Sequence, residues 1–217
     1  MKNLVLAKIF LFISLVFGRA GWAAEEQFQI FSKDGVRLTG QIDFPSISAI
    51  NGVVLLVPGT GLFDRDAEFG QTNTDKDLVF REISKALTAR DFAVVRFDYR
   101  GVKCNRRTIP PCPDCHNKKE AIAHFVKNCI DNKIRAGVTP ENLREDIEVI
   151  YNHIATHPKL LNQKVLVFGH SEGSLNLSHL IADKRIRPYG VVFMGGLAES
   201  PQGVIHWQMT DRLSSAL

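Results

Sequence analysis

The 217-residue sequence has no block of Lys or Arg and no basic helix face; its 27 basic residues are interspersed with 23 acidic ones, for a formal charge of +4. That removes the phosphate-neutralising surface on which nucleic-acid binding depends, so nucleic acid is excluded as a partner. After the first two dozen residues no apolar run approaches the ~20 residues that cross a bilayer, which excludes an internal membrane span. No internal repeat and no low-complexity tract interrupts the chain. Cysteine is absent outside residues 104–129, and only two histidines, His179 and His206, follow residue 170.

What is present suits one ordinary core, with 45% apolar residues. Met1-Lys2-Asn3 and Lys8 form a basic start, and Ile9 to Gly18 an apolar run shorter than a membrane span. This is the pattern of a secretory signal, with small residues at Gly21 and Ala23 placing cleavage after Ala23. The reading is a signal peptide over residues 1–23 and a single domain over 24–217. The location is periplasmic or secreted, with no stable membrane span after cleavage. An uncleaved anchor is the rival.

Export bears on Cys104, Cys112, Cys115 and Cys129. An even, clustered set in an oxidising compartment favours disulfides, and three pairings remain open. The rival is a zinc knuckle, since Cys112-Pro113-Asp114-Cys115 has ligand spacing and His116 adjoins it. Export removes the reducing conditions that keep thiolates free for metal, so the reading carries disulfides and neither a metal nor another cofactor.

Along the domain, Gln27–Phe31 and Val36–Phe44 alternate around Lys33-Asp34-Gly35, a hairpin signal. Gly52–Val57 is a continuous aliphatic strand and Phe92–Tyr99 the next strand, and Leu78, Val79, Ile83 and Leu87 mark an amphipathic helix between them. Residues 102–137 read as a Cys-rich insertion. Thr139-Pro140 then caps a helix that runs to His157-Pro158. Lys164–Phe168, Ser174–Asp183 and Gly190–Met194 follow as strand, helix and strand, and residues 203–217 as the start of a lid helix. The alternation is that of an α/β chain, a mostly parallel central sheet flanked by helices.

Between the strand ending at Phe168 and the next helix lies Gly169-His170-Ser171-Glu172-Gly173. A serine is a weak nucleophile and needs exposure, a base and donors for the developing oxyanion. Glycines two residues either side of Ser171 permit a sharp strand-to-helix turn that lifts the hydroxyl, and the helix that follows favours negative charge at its amino end. Pro58-Gly59-Thr60-Gly61 follows the first central strand, and the backbone N–H groups of Thr60 and Glu172 are the candidate oxyanion donors. Asp64-Arg65-Asp66 is read as structural.

These motifs, with Arg96-Phe97-Asp98-Tyr99-Arg100-Gly101, resemble bacterial α/β-hydrolases related to serine aminopeptidases and dienelactone hydrolases. The resemblance implies a Ser-acid-His triad, an acyl-enzyme route, and a small acyl substrate with an ester, thioester or amide bond. It also implies an acid and a base on loops after later strands. Residues 172–217 hold one strand, so the last strands of that fold are expected to be missing. Glu199 is the candidate acid and His206 the candidate base, although His206 falls in the lid segment rather than at the family's position. His170, adjacent to Ser171, points elsewhere in a sharp turn. The remaining reading is an inactive, truncated scaffold in which a partner chain covers the open sheet edge.

Overall fold

The computed structural model describes residues 24–46, 49–61, 64–68, 78–105, 108–196 and 201–206. The expected signal segment, Glu199 and most of the expected lid helix lie outside these residues. Strands β1 (Ala24–Phe31) and β2 (Arg37–Phe44) form the anticipated hairpin, and β3 (Gly52–Val57), β4 (Phe92–Phe97), β5 (Val165–His170) and β6 (Gly190–Met194) complete a six-stranded sheet. Its order is β1-β2-β4-β3-β5-β6, with β3, β4, β5 and β6 parallel, β2 antiparallel to β4 and β1 antiparallel to β2.

Every residue of β3 is buried, as a strand covered on both faces requires. Helix α1 (Val79–Thr88) covers one face, where Phe80 packs with Val54, Leu56, Ala67 and Val94. Helices α4 (Pro140–Thr156) and α5 (Glu172–Ala182) cover the other. There Ile147, Ile150, Ile154, Leu177 and Leu180 meet Val53, Leu55, Val57 and Val167. Thr139 caps α4 in a reciprocal box with Asn142, and Pro140 occupies the first turn.

Between β4 and α4 the chain makes an excursion that carries α2 (Lys118–Cys129) and α3 (Asn132–Ala136). Its base is closed three ways. Asp131 N–H donates to the Gly101 carbonyl and Lys103 N–H to that of Cys129, both at 2.7 Å, and Cys104 is bonded to Cys129. A second disulfide joins Cys112 to Cys115 within the excursion.

The last described element is the short helix α6 (Pro201–His206). Among the described residues β6 is an outer strand, and its Val191, Val192 and Phe193 are 40, 48 and 49% exposed. No helix among the described residues is long and apolar enough to cross a membrane.

Candidate active site

Strand order alone creates a crevice in the sheet. From β3 the chain passes to β4 on one side, and β5 lies on the other, so α1 and α4 leave on opposite faces. Such a reversal opens a cleft at the carboxyl ends of the two strands that flank it, here β3 and β5. Pro58-Gly59-Thr60 follows β3, and Ser171 follows β5.

Ser171 has φ 52° and ψ −121°, a backbone conformation that costs a non-glycine residue about 1–3 kcal/mol. It occupies the N-cap of α5, where a serine oxygen ordinarily accepts from the first-turn N–H groups, yet its side chain makes no such bond. Among the described residues no partner hydrogen-bonds its hydroxyl. The backbone is fixed instead: Ser171 N–H donates to the Met194 carbonyl of β6 at 2.9 Å, and Ser174 N–H to the Ser171 carbonyl at 2.9 Å.

The neighbouring glycines are required by contact. A Cβ on Gly173 would stand 2.5 Å from the carbonyl oxygens of Val57 and Pro58, and one on Gly169 2.7 Å from Ser174 N. A Cβ on Gly59 would meet Ser171 Cβ at 2.8 Å. The loop after β3 therefore touches the serine directly. Thr60, exposed, donates its hydroxyl to Glu172 Oε2 at 2.7 Å, which joins the two candidate donor residues side chain to side chain.

That loop is anchored by residues the sequence does not single out for the purpose. Tyr99, buried, donates its hydroxyl to the Pro58 carbonyl at 2.9 Å. Burial, reinforced by the Glu172 carboxylate, pushes the phenol well above its usual range, so it remains a donor at every ordinary pH. Arg65 binds Asp98 in a fork, Nε to Oδ1 at 3.1 Å and Nη2 to Oδ2 at 2.6 Å, and its own N–H donates to the same carboxylate at 2.9 Å. One residue on, Asp66 accepts from Arg96, which also donates to Asp43 at 2.8 Å. Asp64, Arg65 and Asp66 are all buried, so their pairing is not that of a solvated loop. Asp98 and Arg96 are visible as a motif, but their partners lie 33 and 30 residues earlier and no local pattern links them.

His170 is half-buried, and burial lowers its imidazole pKa, leaving the ring neutral at neutral pH. His206 is exposed at the end of α6, and His179 is exposed on α5. His153 and His157 belong to a separate group with Phe28 and Glu26 beside the hairpin. An open hollow lined by Tyr151, Lys164, Val165, Arg187 and Tyr189 lies at the amino ends of β5 and β6, the opposite edge of the sheet from Ser171.

No family model matches the chain, and no curated protein does. Solved structures do. A thermostable carboxyl esterase from Bacillus coagulans aligns over 89% of this chain and 51% of its own, with 14% identity and a TM-score of 0.53. An α/β-hydrolase from Novosphingobium aromaticivorans aligns over 88% and 51%, with 19% identity and a TM-score of 0.52. The α/β-hydrolase GrgF from Penicillium aligns over 89% and 55%, with 17% identity and a TM-score of 0.51. The chain thus has the α/β-hydrolase fold, and it spans about half the length of the structures it matches.

Proposed function

We propose that the chain carries the nucleophile half of a serine hydrolase that cleaves ester, thioester or amide bonds of a small acyl substrate. The observation that carries this reading is Ser171 itself. It sits strained between β5 and α5 at the switch point, with its hydroxyl free of the capping bond it could make and Gly59 against its Cβ.

In the reaction Ser171 Oγ attacks the substrate carbonyl carbon, forming the O–C bond as its proton passes to a base. The carbonyl oxygen becomes an oxyanion, met by the backbone N–H groups of Thr60 and Glu172 and by the amino end of α5. Collapse breaks the bond to the leaving alcohol, thiol or amine, which takes up the proton. Water then attacks the acyl-enzyme and regenerates Ser171. Loss of a triad member lowers such rates by orders of magnitude, so the base is indispensable to turnover. Glu199 and His206 are the candidates this sequence offers for acid and base.

A fluorophosphonate probe tests the nucleophile without requiring turnover of a substrate. The full chain is expected to label, and Ser171→Ala to abolish labelling. Labelling of equal extent in Ser171→Ala, or none in either, sinks the reading.

A second reading is favoured by one observation, the exposure of Val191, Val192 and Phe193 on an outer strand. In it the chain is a binding scaffold, or becomes a hydrolase only when a partner chain covers the β6 edge. Concentration-dependent association supports it, and an active, strictly monomeric chain contradicts it.

A further inference from the structure

Among the described residues, apart from the candidate active site, one cluster of metal-ligating side chains stands out. The sulfur atoms of Cys112 and Cys115 and a ring nitrogen of His124 all lie within 4.8 Å of one another, and all three residues are half-buried. They come from two elements: the cysteines from the loop before α2, His124 from its second turn. His116, the neighbour singled out by sequence spacing, is not in the cluster.

The imidazole is already oriented. His124 Nε2 lies 2.8 Å from the Pro110 carbonyl and Nδ1 3.2 Å from the Asn128 amide. Binding at one nitrogen would displace one of these contacts and keep the other, the kind of outer contact that fixes a ligating histidine. The loop is held from both ends. Cys115 N–H donates to the Cys112 carbonyl at 3.2 Å, His116 N–H to Glu120 at 2.6 Å, and Glu120 N–H to the Asn117 side chain at 3.0 Å.

Two thiolates and an imidazole are the donor set of a tetrahedral Zn²⁺ ion with one open position. Metal–ligand bonds of about 2.0–2.3 Å place tetrahedral ligands roughly 3.5–3.8 Å apart. The two sulfurs are bonded to each other here, so reduction must let them part by roughly 1.7 Å to reach that spacing, while the imidazole already lies within 4.8 Å of both.

We propose that Cys112, Cys115 and His124 form a Zn²⁺ site that the Cys112–Cys115 disulfide closes and a dithiol reductant opens. The dithiol gives up two electrons and two protons, becoming a cyclic disulfide, while the Cys112–Cys115 bond becomes two thiols. Zn²⁺ then displaces the two thiol protons, takes the neutral imidazole as third ligand and holds water in the fourth position. The Cys104–Cys129 bond, in which Cys129 is buried, closes the base of the excursion and is not part of the site.

The full chain is treated with a dithiol and the reductant removed. Mass analysis of alkylated thiols establishes that Cys112 and Cys115 have been released, and Zn²⁺ is titrated against a chromophoric chelator. One ion per reduced chain and none per oxidised chain are expected, and His124→Ala should weaken binding about tenfold or more. His116→Ala should leave it unchanged. Co²⁺ in the unsubstituted reduced chain should give tetrahedral visible bands with thiolate charge transfer and shift the His124 ring resonances. This arm stands even if His124→Ala does not fold. Absence of stoichiometric uptake after reduction, uptake by the oxidised chain, or unmoved His124 resonances overturns the proposal.

Discussion

A serine at the head of a helix ordinarily turns its oxygen onto the N–H groups of the first turn, and Ser171 does not. Its positive φ is what prevents this, and the strain is separable from the hydroxyl by two substitutions. Ser171→Ala keeps a Cβ in the strained conformation, whereas Ser171→Gly releases it. The glycine variant should therefore be more stable than the alanine variant by about 1 kcal/mol in chemical denaturation. Equal stability would mean that the elbow is not strained. Gly59→Ala tests the facing side. Its new Cβ falls 2.8 Å from Ser171 Cβ, so it should cost about 1–3 kcal/mol and slow labelling by the fluorophosphonate probe.

At the scale of elements, β3, β4 and β5 were legible because unbroken runs such as Gly52–Val57 leave little choice but a strand buried on both faces. The α4 boundary was legible because Thr139-Pro140 states its cap and first turn locally. Helix α5 begins at Glu172, earlier than the expected Ser174, because Ser171 is itself the N-cap. What was not legible is the fastening of the loop after β3. Arg65 meets Asp98 and Arg96 meets Asp66 only once β2, β3 and β4 are side by side. Asp98→Ala strands the buried Arg65 and should cost about 3–5 kcal/mol, read as a lowered denaturation midpoint. The cysteine pairing was equally invisible, since it depends on where the excursion returns to the sheet. Removing Cys104–Cys129 opens a loop with a sequence separation of 25 and should cost about 3 kcal/mol. Removing Cys112–Cys115, separated by 3, should cost far less in the same measurement.

For the whole molecule, stability should fall with acid in two stages. Burial holds the His153 and His170 imidazoles below their ordinary 6.5, so the unfolded chain binds protons first as the pH drops, and stability declines from that point. Hydrogen bonds from Lys159 and His157 hold Glu26 below 4.5, and those from Arg144 and Arg185 do the same for Glu141. Their contribution is complete above 4.5 and is lost as the pH falls through their depressed values. A melting temperature that stays flat down to pH 4.5 contradicts the first stage, and His153→Phe should make that stage shallower.

The exposed β6 belongs to this scale as well. Val192→Lys should suppress any concentration-dependent association seen by sedimentation.

The bond from Ser171 N–H to the Met194 carbonyl gives that edge a second meaning. A single hydrogen bond separates the backbone of the candidate nucleophile from the strand that is outermost among the described residues. A strand added at β6 would reach the Ser171 backbone through that one bond, and any coupling so produced runs in both directions. Were a polypeptide docked there to change the affinity of Ser171 for a reversible inhibitor, the inhibited protein would hold that polypeptide with an affinity changed by the same factor.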